Sequence, residues 1–164
     1  MLKEVRVTKA LVAAAAYAAN DVLSESASAG TDWDFDAVAK EPGGSGLIVG
    51  AIAISETNSV TPRITIFLFD AEPTGCVLND NVANTAPATG DLDKVIGKID
   101  LPALESLGTT KSMAIATIST TGNLPLPFKC LRDKHIIYGV AVTRDAFTQT
   151  AGDDLTVILL IDQD

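Results

Sequence analysis

The chain has one histidine, two cysteines and one tryptophan in 164 residues, and each scarcity removes a class of chemistry. Zinc needs a cluster of His and Cys ligands, and none exists. The cysteines, Cys76 and Cys130, lie far apart without CxxC spacing, which reads as two free buried thiols rather than a redox or metal motif. Aromatics make up 5% of the chain, and Tyr17, Trp33 and Tyr138, its only Tyr and Trp residues, are scattered. A sugar-binding sandwich would cluster them for stacking. Basic residues are also scattered, 12 against 21 acids, for a net charge of −9. Phosphate backbones require grouped Lys and Arg, so direct nucleic-acid binding is excluded. No apolar run approaches the ~18 residues of a membrane span. Met1–Arg6 followed by Ala10–Ala19 has the outline of a signal peptide with an Ala16-Tyr17-Ala18 cleavage site. Its apolar part is mostly alanine, and Glu4 sits in the would-be basic region, so no cleaved leader is expected.

What the chain does have is branched, strand-forming residues. Val, Ile and Thr supply about a quarter of it. Two runs, Leu47–Ile54 and Ile64–Phe69, are apolar on both alternating faces and too short for stable helices. Strands of that kind are covered on both sides. They read as the central strands of a sandwich, with part of the second face covered by another subunit. Leu2–Thr8, Tyr17–Leu23, Trp33–Ala37, Lys94–Leu101, Ser112–Ser119, Phe128–Leu131, His135–Thr143 and Leu155–Ile161 supply further strands. Ala10–Ala19 fits helix or strand equally. Asp100, Pro102 and Gly108 bracket a short helical segment over Ala103–Leu107. The expected fold is all-β, an antiparallel, jelly-roll-like β-sandwich of about eight to ten strands with one short helical segment. Residues Met1–Ala16 form a contact arm or first strand, and Tyr17–Asp164 the single sandwich domain. The long polar connection Ala71–Gly90 is a candidate contact loop.

No stretch of the chain carries a catalytic constellation. Gly43-Gly44-Ser45-Gly46-Leu47 has leucine where a nucleophile elbow needs glycine. The lone His135 opens a strand with no motif to name its serine. Between Gly90 and Gly97 lie six residues rather than four, and Ile99 replaces the Ser or Thr of a phosphate loop. Asp32, Asp34 and Asp36 project from one strand face about 6–7 Å apart, which diverges where a calcium site converges. Asn79-Asp80-Asn81 and Asp153-Asp154 match no calcium motif. No catalytic, cofactor or metal residues are assigned, and no enzyme activity is expected.

An ordered set of landmarks is more informative. Tyr17-x-x-x-Asp21-Val22 precedes Gly43-Gly44-Ser45-Gly46. Phe67-Leu68-Phe69-Asp70 with Pro73 follows, then Asp80-Asn81-Val82-Ala83 and Val95-Ile96-Gly97. Leu126-Pro127-Phe128, Tyr138-Gly139 and a closing strand ending Asp162-Gln163-Asp164 complete the set. From Tyr17 onward the chain resembles the small capsid decoration proteins of tailed bacteriophages, also called head auxiliary or cement proteins. The resemblance implies a structural protein on the outer surface of the virion, bridging capsomers. Its partners would be the major capsid protein and its own copies, as a homotrimer. Acidity suits an exterior position, away from packaged DNA. The candidate interface residues are Leu2, Val5, Val7, Phe67, Phe69, Asp80, Asn81 and Leu160. The alternatives are a tail- or fibre-associated structural protein and a carbohydrate-binding sandwich.

Overall fold

The computed structural model describes residues 1–119 and 123–163, and its elements are almost all strands. They are β1 (Leu2–Ala10), β2 (Trp33–Phe35), β3 (Ser45–Ser55), β4 (Ile64–Phe69), β5 (Val95–Asp100), β6 (Glu105–Ser106), β7 (Ser112–Thr117), β8 (Leu126–Lys129), β9 (Ile137–Thr143) and β10 (Asp154–Gln163). One sheet runs β1-β10-β3-β7-β6, with β8 pairing the N-terminal end of β3; the other runs β2-β9-β4-β5. All pairings are antiparallel. The chain passes repeatedly between the sheets, so that β1-β10-β3-β7 faces β2-β9-β4-β5. That is jelly-roll topology.

Strict alternation aims one face of each sheet inward. Leu155, Val157, Leu159 and Ile161 of β10 meet Ile66 and Leu68 of β4, Ile137 of β9 and Phe35 of β2 in one buried core. Gly139 leaves room for β2: a Cβ there would sit 2.9 Å from the Phe35 ring and 3.3 Å from Trp33 Cβ. Trp33 is buried, and its indole N–H donates to the Leu23 carbonyl at 3.0 Å. A second, smaller cluster covers the outer side of the four-stranded sheet. There Phe69, Val140 and Val142 pack against Val22 and Ala86, with Phe67, Cys76, Leu78 and Tyr138 at its margin.

Three local expectations are corrected. Ala103–Leu107 is extended rather than helical: Leu101 and Leu104 donate to the Ile64 and Pro62 carbonyls, and Glu105–Ser106 pairs with β7. The described helical turn is instead a 3-10 segment at Thr89–Lys94. The buried Asp91 holds it, accepting bonds from the Thr74 and Gly75 amides and from Lys94 at 2.8–3.0 Å. Burial alone would raise the Asp91 carboxyl; the bonds from Lys94, Cys76, Thr74 and Gly75 outweigh it and hold the carboxyl well below its usual range. Tyr17–Leu23 makes only isolated bridges, Tyr17 to Phe147, Asp21 to Ala83 and Val22 to Val142. Asn20 adopts a left-handed φ of 72°, which breaks the extension. The third correction concerns the proposed partner over β4, whose second face is covered by the chain's own loops.

Candidate interaction surface

The outer face of the six-stranded sheet differs from that of the four-stranded one. Register places Arg6, Ile158, Ile52 and Ile115 in one row across β1, β10, β3 and β7. The row beside it runs Thr8, Thr156, Ile54, Met113 and Glu105. Ile115 and Leu47 are 43% and 40% exposed, and Ile52, Ile54, Met113 and Leu160 are half-buried. The centre of this face is therefore aliphatic, and three of the charged groups on its margins are paired, while Glu105 stands exposed at the β6 end. Arg6 bonds Glu4, Lys111 lies 3.4 Å from Glu56, and the N-terminal ammonium lies 2.9 Å from Asp162. An aliphatic face with a polar rim suits contact with another protein surface.

The β1 edge borders this face. Leu11 donates to Asp153 and Met1 accepts from Gln163, so odd-numbered residues bond β10. Antiparallel alternation then turns the N–H and C=O groups of Leu2, Glu4, Arg6, Thr8 and Ala10 to the free edge. Such an edge can accept a strand from a neighbour.

Of the eight residues expected at an interface, only Leu2, 65% exposed, and Leu160 lie on this outer face. Val5 and Phe69 are buried in the two hydrophobic clusters and are unavailable to a partner. Val7 also points inward, half-buried against the core, and Phe67 packs beneath the Cys76–Ala86 loop. Asp80 is buried and accepts bonds from the Tyr17 hydroxyl and from the Ala13 and Ser24 amides. Asn81 occupies a left-handed turn at φ 57°, its amide bonded to the Val22 carbonyl. The Ala71–Gly90 connection is thus largely a structural cover, with Val82 exposed on it. Leu47, Ile52, Ile54, Met113 and Ile115, which make up this face, were not among the residues named for an interface. Their signal was present in the two-sided apolar character of β3 and the Met113–Ile115 alternation.

The chemistry of the remaining groups is quiet. Cys76 and Cys130 are free; Cys130 is buried and Cys76 half-buried. Burial pushes both thiols up to about 11, so neither is a thiolate at neutral pH. His135 is exposed, its Nε2 3.1 Å from Asp36 Oδ1. Among the described residues no group of three or more His, Cys, Asp or Glu side chains is placed to hold a metal ion. No family model, curated protein or solved structure matches this chain.

Asp32 stands out electrostatically. Burial first, then the charges of Asp34 and Glu72, push its carboxyl up to about 6. The folded chain therefore keeps a proton there that an unfolded aspartate releases near 3.9. Stability falls as pH rises through that window, and the penalty is fully present above it. An Asp32→Asn variant is expected to gain about 2 kcal/mol at about pH 7.5 and almost nothing at about pH 4. Urea unfolding at both values checks this; an equal change at the two would remove the electrostatic explanation.

Proposed function

We propose that this chain is a structural virion protein that decorates the outside of a tailed-phage capsid and stabilises it by bridging capsomers. The observation that carries the reading is the aliphatic outer face of the six-stranded sheet, bordered by a free strand edge. The resemblance of the sequence landmarks to capsid decoration proteins suggests the partner for that face, the major capsid protein. Jelly rolls serve viral capsid domains, lectins and cupins alike, so the fold by itself selects none of them. The net charge of −9 supports an exterior position, where packaged DNA repels it least. A lectin reading is weakened because Trp33 and Tyr17 are 1% exposed and cannot stack on a sugar.

Self-association as a homotrimer follows the same resemblance, with sedimentation of the purified protein as its check. For the face itself, Ile115→Asp is the sharper probe. Ile115 lies outside both buried clusters, so the fold should lose no more than about 1 kcal/mol. Binding to heads lacking the protein should weaken by at least about tenfold, since a charge is desolvated on contact. Undiminished binding would remove this face from the proposal.

A further inference from the structure

On the outer side of the four-stranded sheet, the Gly30–Asp34 segment, the β4–β5 connection and the start of β9 enclose a cavity of about 420 Å³. Asp32, Asp34 and Glu72 line it together with Leu78, Ile136 and Tyr138, and no Lys or Arg does. Three carboxylates thus share one concavity without a counter-charge in its wall. Lys9 faces them from β1, yet its ammonium is taken up by Glu25 at 2.5 Å and by the Thr31 carbonyl and hydroxyl at 2.8 and 2.7 Å. It also lies 5.7 Å from the centre of the Trp33 ring.

The second observation is Asp32 itself. It is 8% exposed, and its buried Oδ2 accepts no hydrogen bond. A buried carboxylate oxygen without a donor is costly to keep, and a donor arriving with positive charge relieves both deficits. A metal ion would need several oxygens converging at about 2.3–2.6 Å for calcium, and no such convergence exists among the described residues. Ammonium and guanidinium groups are less demanding. Their N–H bonds diverge, so each reaches a separate carboxylate at about 2.7–2.9 Å. An alkyl stem suits the Leu78 and Ile136 side, and the Tyr138 ring attracts a cation over its face.

We propose that this cavity binds a primary ammonium or guanidinium group, with Asp32, Asp34 and Glu72 as counter-charges and Leu78, Ile136 and Tyr138 holding its stem. The site is independent of the capsid reading. Protons compete for it: burial raises both Asp32 and Asp34, a hydrogen bond between the two carboxyls holds Asp34 back, Glu72 adds to both, and Lys9 opposes. Asp36 adds to Asp34 along the same strand, and the Tyr138 phenol, raised by burial and by these carboxylates, stays neutral. Affinity is therefore highest above pH 7 and falls several-fold by pH 5.

The cation's source is either a free amine or a basic side chain of another protein. Amide NMR titrations of the full chain with agmatine, n-butylammonium and the peptide acetyl-Gly-Arg-Gly-amide separate the two. Saturable shifts at Gly30–Asp34, Leu78, Ile136 and Tyr138 are expected. Tighter binding of the peptide than of agmatine assigns a protein side chain, and the reverse a free amine. Glu72→Gln, on an exposed residue, should weaken binding about tenfold without altering the spectrum elsewhere. Shifts that do not saturate, shifts unchanged in both Glu72→Gln and Asp32→Asn, or calcium chloride giving the same shifts at lower concentration would overturn the proposal.

Discussion

An Asp80→Ala variant is expected to lose about 3–5 kcal/mol of stability and to melt about 10–15 °C lower. The Asp80 carboxylate gathers three separate stretches of chain. Its Oδ2 accepts from the Tyr17 hydroxyl at 2.9 Å and from the Ala13 amide at 3.1 Å, and its Oδ1 from the Ser24 amide at 2.8 Å. Burial raises the Asp80 carboxyl, and these bonds oppose the rise. Truncation strands a buried hydroxyl and a buried amide, each about 1–3 kcal/mol unsatisfied. Tyr17 is stacked on Phe147 with ring centroids 4.9 Å apart, so Tyr17→Phe keeps the packing and should cost only about 1 kcal/mol. The double variant should fall short of additivity by about 1–2 kcal/mol, because the hydroxyl and the carboxylate share one bond. Independent, additive losses would mean that Asp80 acts through something other than Tyr17.

Deleting Met1–Thr8 should abolish cooperative folding altogether. These residues pair with β10 from Leu2 opposite Asp162 to Thr8 opposite Thr156, and Val5 and Val7 fill the core beneath. Lys3 crosses to the other layer, its ammonium 2.5 Å from the Ala37 carbonyl. Without β1, the long β10 becomes an edge strand and the inner row of Val157, Leu159 and Ile161 loses its flanking neighbours Val7, Val5 and Lys3. Total stability of a domain this size is about 5–15 kcal/mol, less than a whole paired strand and its burial supply. The N-terminal segment is therefore the first strand of the sandwich. A truncated chain that still melts sharply within a few degrees of the full one would restore it to the status of a detachable arm.

The strands were legible wherever Val, Ile and Thr alternate or run together, as in β3, β4 and β10. Their ends were not, because single residues decide them: Ala37 at φ 55° follows β2, and Asn20 breaks the segment before it. Leu101 and Leu104 are spaced as a helix would space them. Two backbone bonds to Ile64 and Pro62 keep them extended, and no local pattern encodes that. The interface was half legible for a similar reason. Phe67 and Phe69 on β4 look as unpartnered in sequence as Ile52 and Ile54 on β3. The difference is made by the Cys76–Ala86 stretch and Val22 folding over β4, a long-range choice. Asp80 reads as a loop acid until Tyr17, 63 residues away, is seen bonded to it.

The most direct test of the account is where the protein sits on the particle. Antibody labelling of intact virions, read by electron microscopy, should place it on the head exterior and nowhere on the tail. Label on the tail, or virions without the protein, would contradict it.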